Sequence, residues 1–443
     1  MSRSEGDLSR SENGVDLWDR KPLGVLTEPQ NVRVGNAQPV VMSCTKYEGL
    51  VPSNDYFRGR TIHSSDISNY KLVRRDWLAY ATNHLAEGSI GIQDQFDEAC
   101  VSPIYTVFSC AENVDPEFLF RLLKTQGLVN QFKVHEQATV DRRGAVRYGD
   151  FAKIEVRVPV FPEQRRVADI LYKLDEAIRS AEEVIAKLDR IRRGLLNDLL
   201  TRGIDQNGML RDPEQHPEQF KDTLVGKVPV TWRVRTLGDV ILSAVDGPFG
   251  SNLKTAHYVE SPGIRVVRLQ NIGSDEFLDG DRAYVAEAHA MMLQQHDVRA
   301  GDLLVASMGD ENHPIARGCL YPAHLDPGIV KADCFRLRAD PSLALNSFIS
   351  LVLSCSSTRS ELQALAQGVT RDRVNLGNLM QFRLALPSVD EQANVIAPVN
   401  ALKRRLEAER DTLEKLRSVK LGLSDDLLSG RVRVTNFLVA NGQ

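Results

Sequence analysis

Two arginine-rich segments hold the residues best suited to chemistry: Asp141-Arg142-Arg143-Gly144-Ala145-Val146-Arg147 and Thr370-Arg371-Asp372-Arg373-Val374-Asn375. A guanidinium can grip guanine through two parallel hydrogen bonds, an asparagine amide can do the same with adenine, and cations steady the phosphate backbone. Arg142, Arg143, Arg147, Thr370, Arg371, Arg373 and Asn375 are therefore candidate DNA contacts. The competing reading is a solvated loop pinned by local ion pairs, since Asp141 and Asp372 are at hand. A second group comprises Lys46, Tyr47 and Arg58, and then Ser251 and Lys254 in and after Gly247-Pro248-Phe249-Gly250-Ser251. The strand-like run from Arg265 to Asn271 adds Arg268, Gln270 and Asn271. For each of this second group, ordinary surface is an equal reading.

Residues that would make or break bonds do not gather anywhere. The sequence has no G-x-x-x-x-G-K-[ST] loop for a nucleoside triphosphate and no G-x-G-x-x-G after a strand. It lacks an Asn/Asp-Pro-Pro-aromatic tetrapeptide, and its nine histidines form no H-E-x-x-H. The six cysteines make no C-x-x-C pair, which argues against zinc and for reduced thiols in a cytoplasm. No catalytic and no metal-binding residue is expected. The 55 Lys and Arg against 59 Asp and Glu exclude a protein that coats nucleic acid by bulk charge. DNA binding would have to rest on local clusters and on partners. The polar first fourteen residues have no apolar stretch of a secretory signal, and nowhere do about 18 apolar residues run together.

The elements that must position these residues come as an internal repeat. With Gly149 placed on Gly377, 228 positions apart, VRYGDFAKIEVRVPVFPEQ lies on VNLGNLMQFRLALPSVDEQ without gaps. Pro159/Pro387, Glu163/Glu391, Gln164/Gln392, Leu195/Leu423 and Leu199/Leu427 coincide, and so do Arg143 and Arg371. A fainter echo, Trp18-x-x-x-x-Leu23-Gly24 on Trp232-x-x-x-x-Leu237-Gly238, marks the domain starts. The copies agree at their borders and differ inside, as one scaffold with two different recognition surfaces would.

After each globular part comes a heptad seam. Leu171, Leu174, Ile178, Ala181, Ile185, Leu188, Leu195 and Leu199 form the first, and Val399, Leu402, Leu406, Leu413, Leu416, Leu423 and Leu427 the second. Arg192 and Lys420 interrupt the seams at equivalent places. Ser388-x-x-Glu391 is a capping box for the second helix, and Pro398 predicts a kink or restart about ten residues into it. A helix of about 40 residues is roughly 60 Å long and needs a matching stripe to bury its own. A homodimeric coiled coil is one solution. The simpler one is antiparallel pairing of the two copies within a single chain. The expected architecture is α/β (α+β), with two globular domains separated by an intramolecular antiparallel coiled coil in a pseudo-two-fold molecule. Its segments are a tail at 1–14, a domain at 15–160, a helix at 161–203, a linker at 204–231, a domain at 232–387, a helix at 388–431 and a tail at 432–443.

The layout resembles the specificity subunits of type I restriction–modification enzymes. The resemblance rests on P-x-x-x-E-Q at Pro159 and Pro387, on the heptad helices and on their closing G-L-L-x-D-L-L or G-L-x-x-D-L-L. In the second domain it also rests on W-x-x-x-x-L-G-D-V from Trp232, G-P-F-G-S from Gly247, A-G-D-L-L-V-A-S from Ala300 and V-N-L-G-N-L from Val374. It implies a non-catalytic, cytoplasmic subunit with two target recognition domains, each reading half of a gapped double-stranded DNA site. It implies two methyltransferase and two restriction subunits as partners. S-adenosylmethionine, ATP and magnesium would belong to those partners and none to this chain. Two alternatives stand beside it: an interaction scaffold of a phage-defence complex, and the specificity subunit of a system with a fused nuclease–methyltransferase.

Overall fold

The computed structural model describes residues 18–60, 63–138, 145–310, 312–366 and 372–434. Contacts divide the chain into two units: Met1–Glu182 with Thr412–Gln443, and Glu183–Asp411. Unit 2 is thus one continuous stretch, whereas unit 1 is closed by residues from beyond it.

In unit 1 a four-stranded antiparallel sheet runs in the order Thr27–Gln30, Tyr105–Cys110, Leu78–Ala81, Ile90–Ile92. A second sheet has the order Gly49–Pro52, Val40–Thr45, Glu98–Val101, Lys71–Arg74. The helix Pro116–Leu123 starts on an Asp115 cap that accepts from the Phe118 amide at 2.8 Å. The helical stretch that follows is broken at Lys124–Thr125, because the Thr125 hydroxyl takes the Leu122 carbonyl at 2.7 Å. Tyr80, Phe108, Phe118, Phe132 and Phe151 fill the core, together with Leu427, Leu428 and Val434. Burying those last three side chains contributes on the order of 5 kcal/mol. That is comparable to the whole net stability of a domain, so residues 412–434 are integral to unit 1.

Unit 2 repeats the first sheet as Ile241–Asp246, Cys334–Ala339, Leu303–Ala306, Gly318–Leu320, again antiparallel throughout. A five-stranded mixed sheet follows the order Tyr258–Val259, Tyr284–Val285, Ile264–Val267, Gly328–Val330, Asp297–Val298. The helical region after Leu345 divides after Ser354, where Thr358 Oγ1 donates to the Val352 and Cys355 carbonyls at 2.7 and 2.9 Å. Arg233–Thr236 pairs with Arg383–Leu386 as Asp19–Pro22 pairs with Glu155–Val158. Each domain is thereby sewn shut just before its long helix. The connector after the first long helix carries a hairpin of its own, Phe220–Thr223 with Gly226–Pro229.

The long helices are Phe161–Arg202 and Val389–Ser429. Their burial follows the heptads. Leu171, Ala181, Leu199, Val399, Leu406, Leu413 and Leu427 are buried, and Leu174, Ile178, Ile185, Leu188, Leu195, Leu402, Leu416 and Leu423 are half-buried. Pairing is antiparallel in both units. In unit 1, Leu171 and Leu174 share a core with Leu423 and Leu427. Ion pairs Asp175–Lys420 at 2.5 Å and Glu182–Arg417 at 2.8 Å cross between the helices there. Lys420, a polar seam position, thus meets an acid of the opposing helix. In unit 2, Leu195, Leu196 and Leu199 pack with Val395, Ile396 and Val399. The expected restart at Pro398 does not occur: the helix runs through it unbroken. The carbonyl that loses its donor there belongs to Asn394, which is exposed, so water can replace the missing bond.

Candidate nucleic-acid interface

The repeated Glu-Gln pair is the device that places each domain on the helices. Gln164 Oε1 accepts from the Asp115 amide at 2.9 Å, and its Nε2 donates to the Pro159 carbonyl at 2.9 Å and the Asn113 carbonyl at 3.3 Å. Gln392 repeats this with the Leu345 amide at 2.8 Å and the Leu343 and Pro387 carbonyls at 2.9 and 3.1 Å. The glutamates tie the start of one long helix to the end of the other. Glu163 accepts from two of the Arg433 guanidinium nitrogens at 2.8 and 2.9 Å and from the Val434 amide at 3.3 Å. Glu391 accepts from Trp232 Nε1 at 3.1 Å, Arg211 at 2.5 Å and the Ile204 amide at 3.1 Å. The expected capping box at Ser388 is therefore half made. Ser388 Oγ accepts from the Glu391 amide at 3.3 Å, but the Glu391 carboxylate is committed to the clasp.

That scaffold brings the Arg373 segment to the same place in its unit as Arg147 in the other. The Val374 amide donates to the Ser307 carbonyl, and the Val146 amide to the Thr82 carbonyl, both at 2.8 Å. Ser307 and Thr82 each follow the equivalent strand. In unit 2 this is one end of the four-stranded sheet, and four segments converge on it. Arg373 forms an ion pair with Asp333 at 2.7 Å, and its guanidinium carbon stands 5.6 Å from the centre of the Phe249 ring. Arg373 and Phe249 are 46% and 48% exposed, so the cluster faces outward. Asp333 has a left-handed backbone (φ 70°), and its Oδ1 lies 3.4 Å from Ser307 Oγ. Beside it, burial and the Asp333 carboxylate push Asp246 up to about 6. One Asp246 carboxylate oxygen is buried with no hydrogen-bond partner. The sequence reading picked Arg373 and the Gly247–Ser251 loop separately, and the fold brings them together. It missed Asp246 and Asp333.

A carboxyl raised in the fold favours the protonated state. Its stabilising contribution is full below the unfolded value near 3.8 and is lost as pH rises through about 6. Asp246→Asn is accordingly expected to stabilise the protein at pH 7–8, by on the order of 1 kcal/mol after allowance for partial exposure. It should do nothing at pH 3. Thermal melts across that range check this, and an equal gain at both ends would be incompatible with it.

Other candidates fare differently. Asn271 is fully buried, its amide donating to the Leu278 and Asp281 carbonyls at 2.8 Å and its oxygen accepting from the Arg268 amide at 2.9 Å. It is a structural staple, which corrects its assignment as a base reader. Arg268 is paired with Asp281 and lies against the Tyr258 ring, so it too is held inside the fold. Asn375 caps the helix Leu376–Met380 by accepting from the Asn378 amide at 2.7 Å, which commits one lone pair of the oxygen an adenine contact would use. Gln270 and Lys254 are exposed. In unit 1, Lys46 and Tyr47 form the tip of the hairpin Val40–Pro52, whereas Arg58 lies beyond its other end, so the fold does not bring them together. Arg142, Arg143, Thr370, Arg371 and the Ser251 side chain lie outside the described residues. Among the described residues no three His, Cys, Asp or Glu side chains converge as a metal site. Burial pushes the Cys44, Cys110 and Cys319 thiols up to about 12, which leaves them unreactive.

No family model matches the sequence. It is similar to the type I restriction enzyme MjaVIII specificity subunit of Methanocaldococcus jannaschii, with 23% identity over 291 residues. The match covers 65% of this chain and 64% of that protein, just under two thirds of its length. The fold matches the type I restriction–modification S subunit of M. genitalium with a TM-score of 0.54 at 13% identity, over 95% of this chain and 98% of that one. It also matches a chain solved in a study of complex assembly in the type I restriction–modification system, with a TM-score of 0.52 at 17% identity over 94% and 98%. In fold the chain is similar to type I specificity subunits, and in sequence it is similar to one at 23% identity.

Proposed function

We propose that this chain is the non-catalytic DNA-specificity subunit of a type I restriction–modification complex. It reads a bipartite, gapped duplex target and directs adenine methylation or restriction by two methyltransferase and two restriction subunits, which carry S-adenosylmethionine, ATP and magnesium. One observation carries this reading: the two units share the glutamine ties and the closing strand pair that seat a domain on its helix, yet differ in the side chains displayed at the matching sheet end. Ser307 and Thr82 receive the same backbone bond, but unit 2 sets Arg373, Asp333 and Phe249 around it. A repeated frame with unlike display suits two unlike half-sites read at a fixed separation. A groove of about 1150 Å³ in unit 1, lined by Tyr47, Phe120, Arg121, Tyr172 and Leu421, suits a partner subunit.

Exchange of residues 232–387 for the corresponding domain of another such subunit is expected to alter one half of the methylated sequence and leave the other intact. Methylation-aware sequencing of the host genome reads this directly. Both halves changing, or neither, would sink the two-reader arrangement. A co-purified complex with no salt-sensitive, sequence-selective gel shift would instead favour the scaffold.

A further inference from the structure

We propose that Arg373 is a specificity-determining residue of unit 2, aimed at a guanine edge in duplex DNA, and that Asp333 is the residue that positions it. The inference rests on the DNA-specificity reading and names a side chain for it.

Three observations carry it. First, Arg373 is outward-facing yet held from two sides, by the 2.7 Å ion pair with Asp333 and by the Phe249 ring. A long side chain fixed in this way loses less entropy when it binds, so its geometry is set before contact. Second, its charge is already matched by a carboxylate. A guanidinium paired with an acid gains little from a phosphate, whereas its remaining N–H groups still suit the two acceptors of guanine. The pairing therefore biases Arg373 from backbone contact toward base reading. Third, the support is built at a cost. Asp333 adopts a left-handed backbone, and Asp246 is kept beside it with an unpartnered buried oxygen. Gly247 sits where any side chain would overlap the Lys331 carbonyl. Strain and unmet polarity concentrated around one exposed arginine mark a site held for use.

Matching positions of unit 1 hold no such device. The residue before Val146 is Ala145, and the residue at the place of Asp333 is Ile104, whose carbonyl accepts from Thr82 Oγ1 at 3.2 Å. At these matching positions the two units display different side chains, as two unlike half-sites require.

The test uses the full chain, tagged and purified from its native host with its bound subunits, and a random-sequence DNA duplex pool. The wild type is expected to select a sequence with guanine at one position that depends on Arg373. Arg373→Ala and Arg373→Lys should each flatten preference at that position alone and weaken binding to the selected sequence about 5- to 150-fold, with the salt dependence unchanged. Asp333→Asn should lower the ratio of selected to unselected binding about tenfold by raising affinity for unselected duplex, because the freed arginine can then reach phosphate. Uniform weakening by Arg373→Ala with a shallower salt slope makes Arg373 a phosphate contact and overturns the proposal. An unchanged selected sequence overturns it as well, while leaving the DNA-specificity reading standing. A wild type that selects no sequence overturns both. The lysine variant keeps charge and bulk, so its outcome stands even where the alanine variant folds poorly.

Discussion

Glu391→Ala is expected to lower the stability of unit 2 by about 3–5 kcal/mol. The carboxylate it removes receives Trp232 Nε1, the Arg211 guanidinium and the Ile204 amide within 2.5 to 3.1 Å, and the Arg211 and Glu391 side chains are each only 13% exposed. The loss comes mainly from what is left behind, a largely buried guanidinium and two N–H groups without acceptors. Gly203 shows how tightly the clasp is closed. Its φ is +63°, and any side-chain carbon at that position would overlap Arg211, Glu391 and Trp232. Glu391→Gln should recover part of the loss by retaining one acceptor. Glu407→Ala, on an exposed turn of the same helix, should shift stability by less than about 0.5 kcal/mol. Denaturant unfolding followed by tryptophan fluorescence measures all three. A loss under about 1 kcal/mol for the alanine variant would mean that water replaces the carboxylate at little penalty.

The second large effect is expected from Gly247→Ala. A side-chain carbon there would lie 1.9 Å from the Lys331 carbonyl oxygen and 2.5 Å from the Ala332 nitrogen. Both are backbone atoms and cannot rotate away, so the 331–333 turn must move. The expected cost is about 3 kcal/mol or more, at the upper end for overpacking. Because that turn carries Asp333, selectivity in the half-site read by unit 2 should be lost while the other half is kept. Gly250→Ala supplies the comparison. Its position has φ +65° but open space around it, so only backbone strain of about 1–2 kcal/mol is expected. Equal effects of the two substitutions would show that conformation, and not the collision, governs the loop.

Elements with local periodicity were legible in the sequence, and sites made by distant residues were not. The heptads placed the seam correctly because a 3.5-residue repeat is set by spacing alone. The Glu-Gln motif was visible as a repeat, yet its role was hidden. Glu391 bonds to residues 159 to 187 positions away, and nothing near it in sequence names them. Asn271 was misassigned because a short strand does not reveal where its end turns inward. Arg373 was found by residue type, but its charge partner lies across the fold on a turn whose left-handed backbone no local pattern announces. At Pro398 the restart is absent for a different reason: an exposed helix face lets water donate to the carbonyl that a buried helix would leave unbonded.

The clasp at Glu163 also sets an order of events during synthesis. Unit 2 is a continuous stretch from Glu183 to Asp411 and holds both sides of its own clasp. It can close as soon as that stretch has left the ribosome. Unit 1 is translated earlier, yet Glu163 waits for Arg433 and Val434, and its core waits for Leu427 and Leu428. The domain made first is therefore finished last. Nascent unit 1 keeps an apolar strip uncovered while some 230 further residues are made, and that interval is when a chaperone would have most to do.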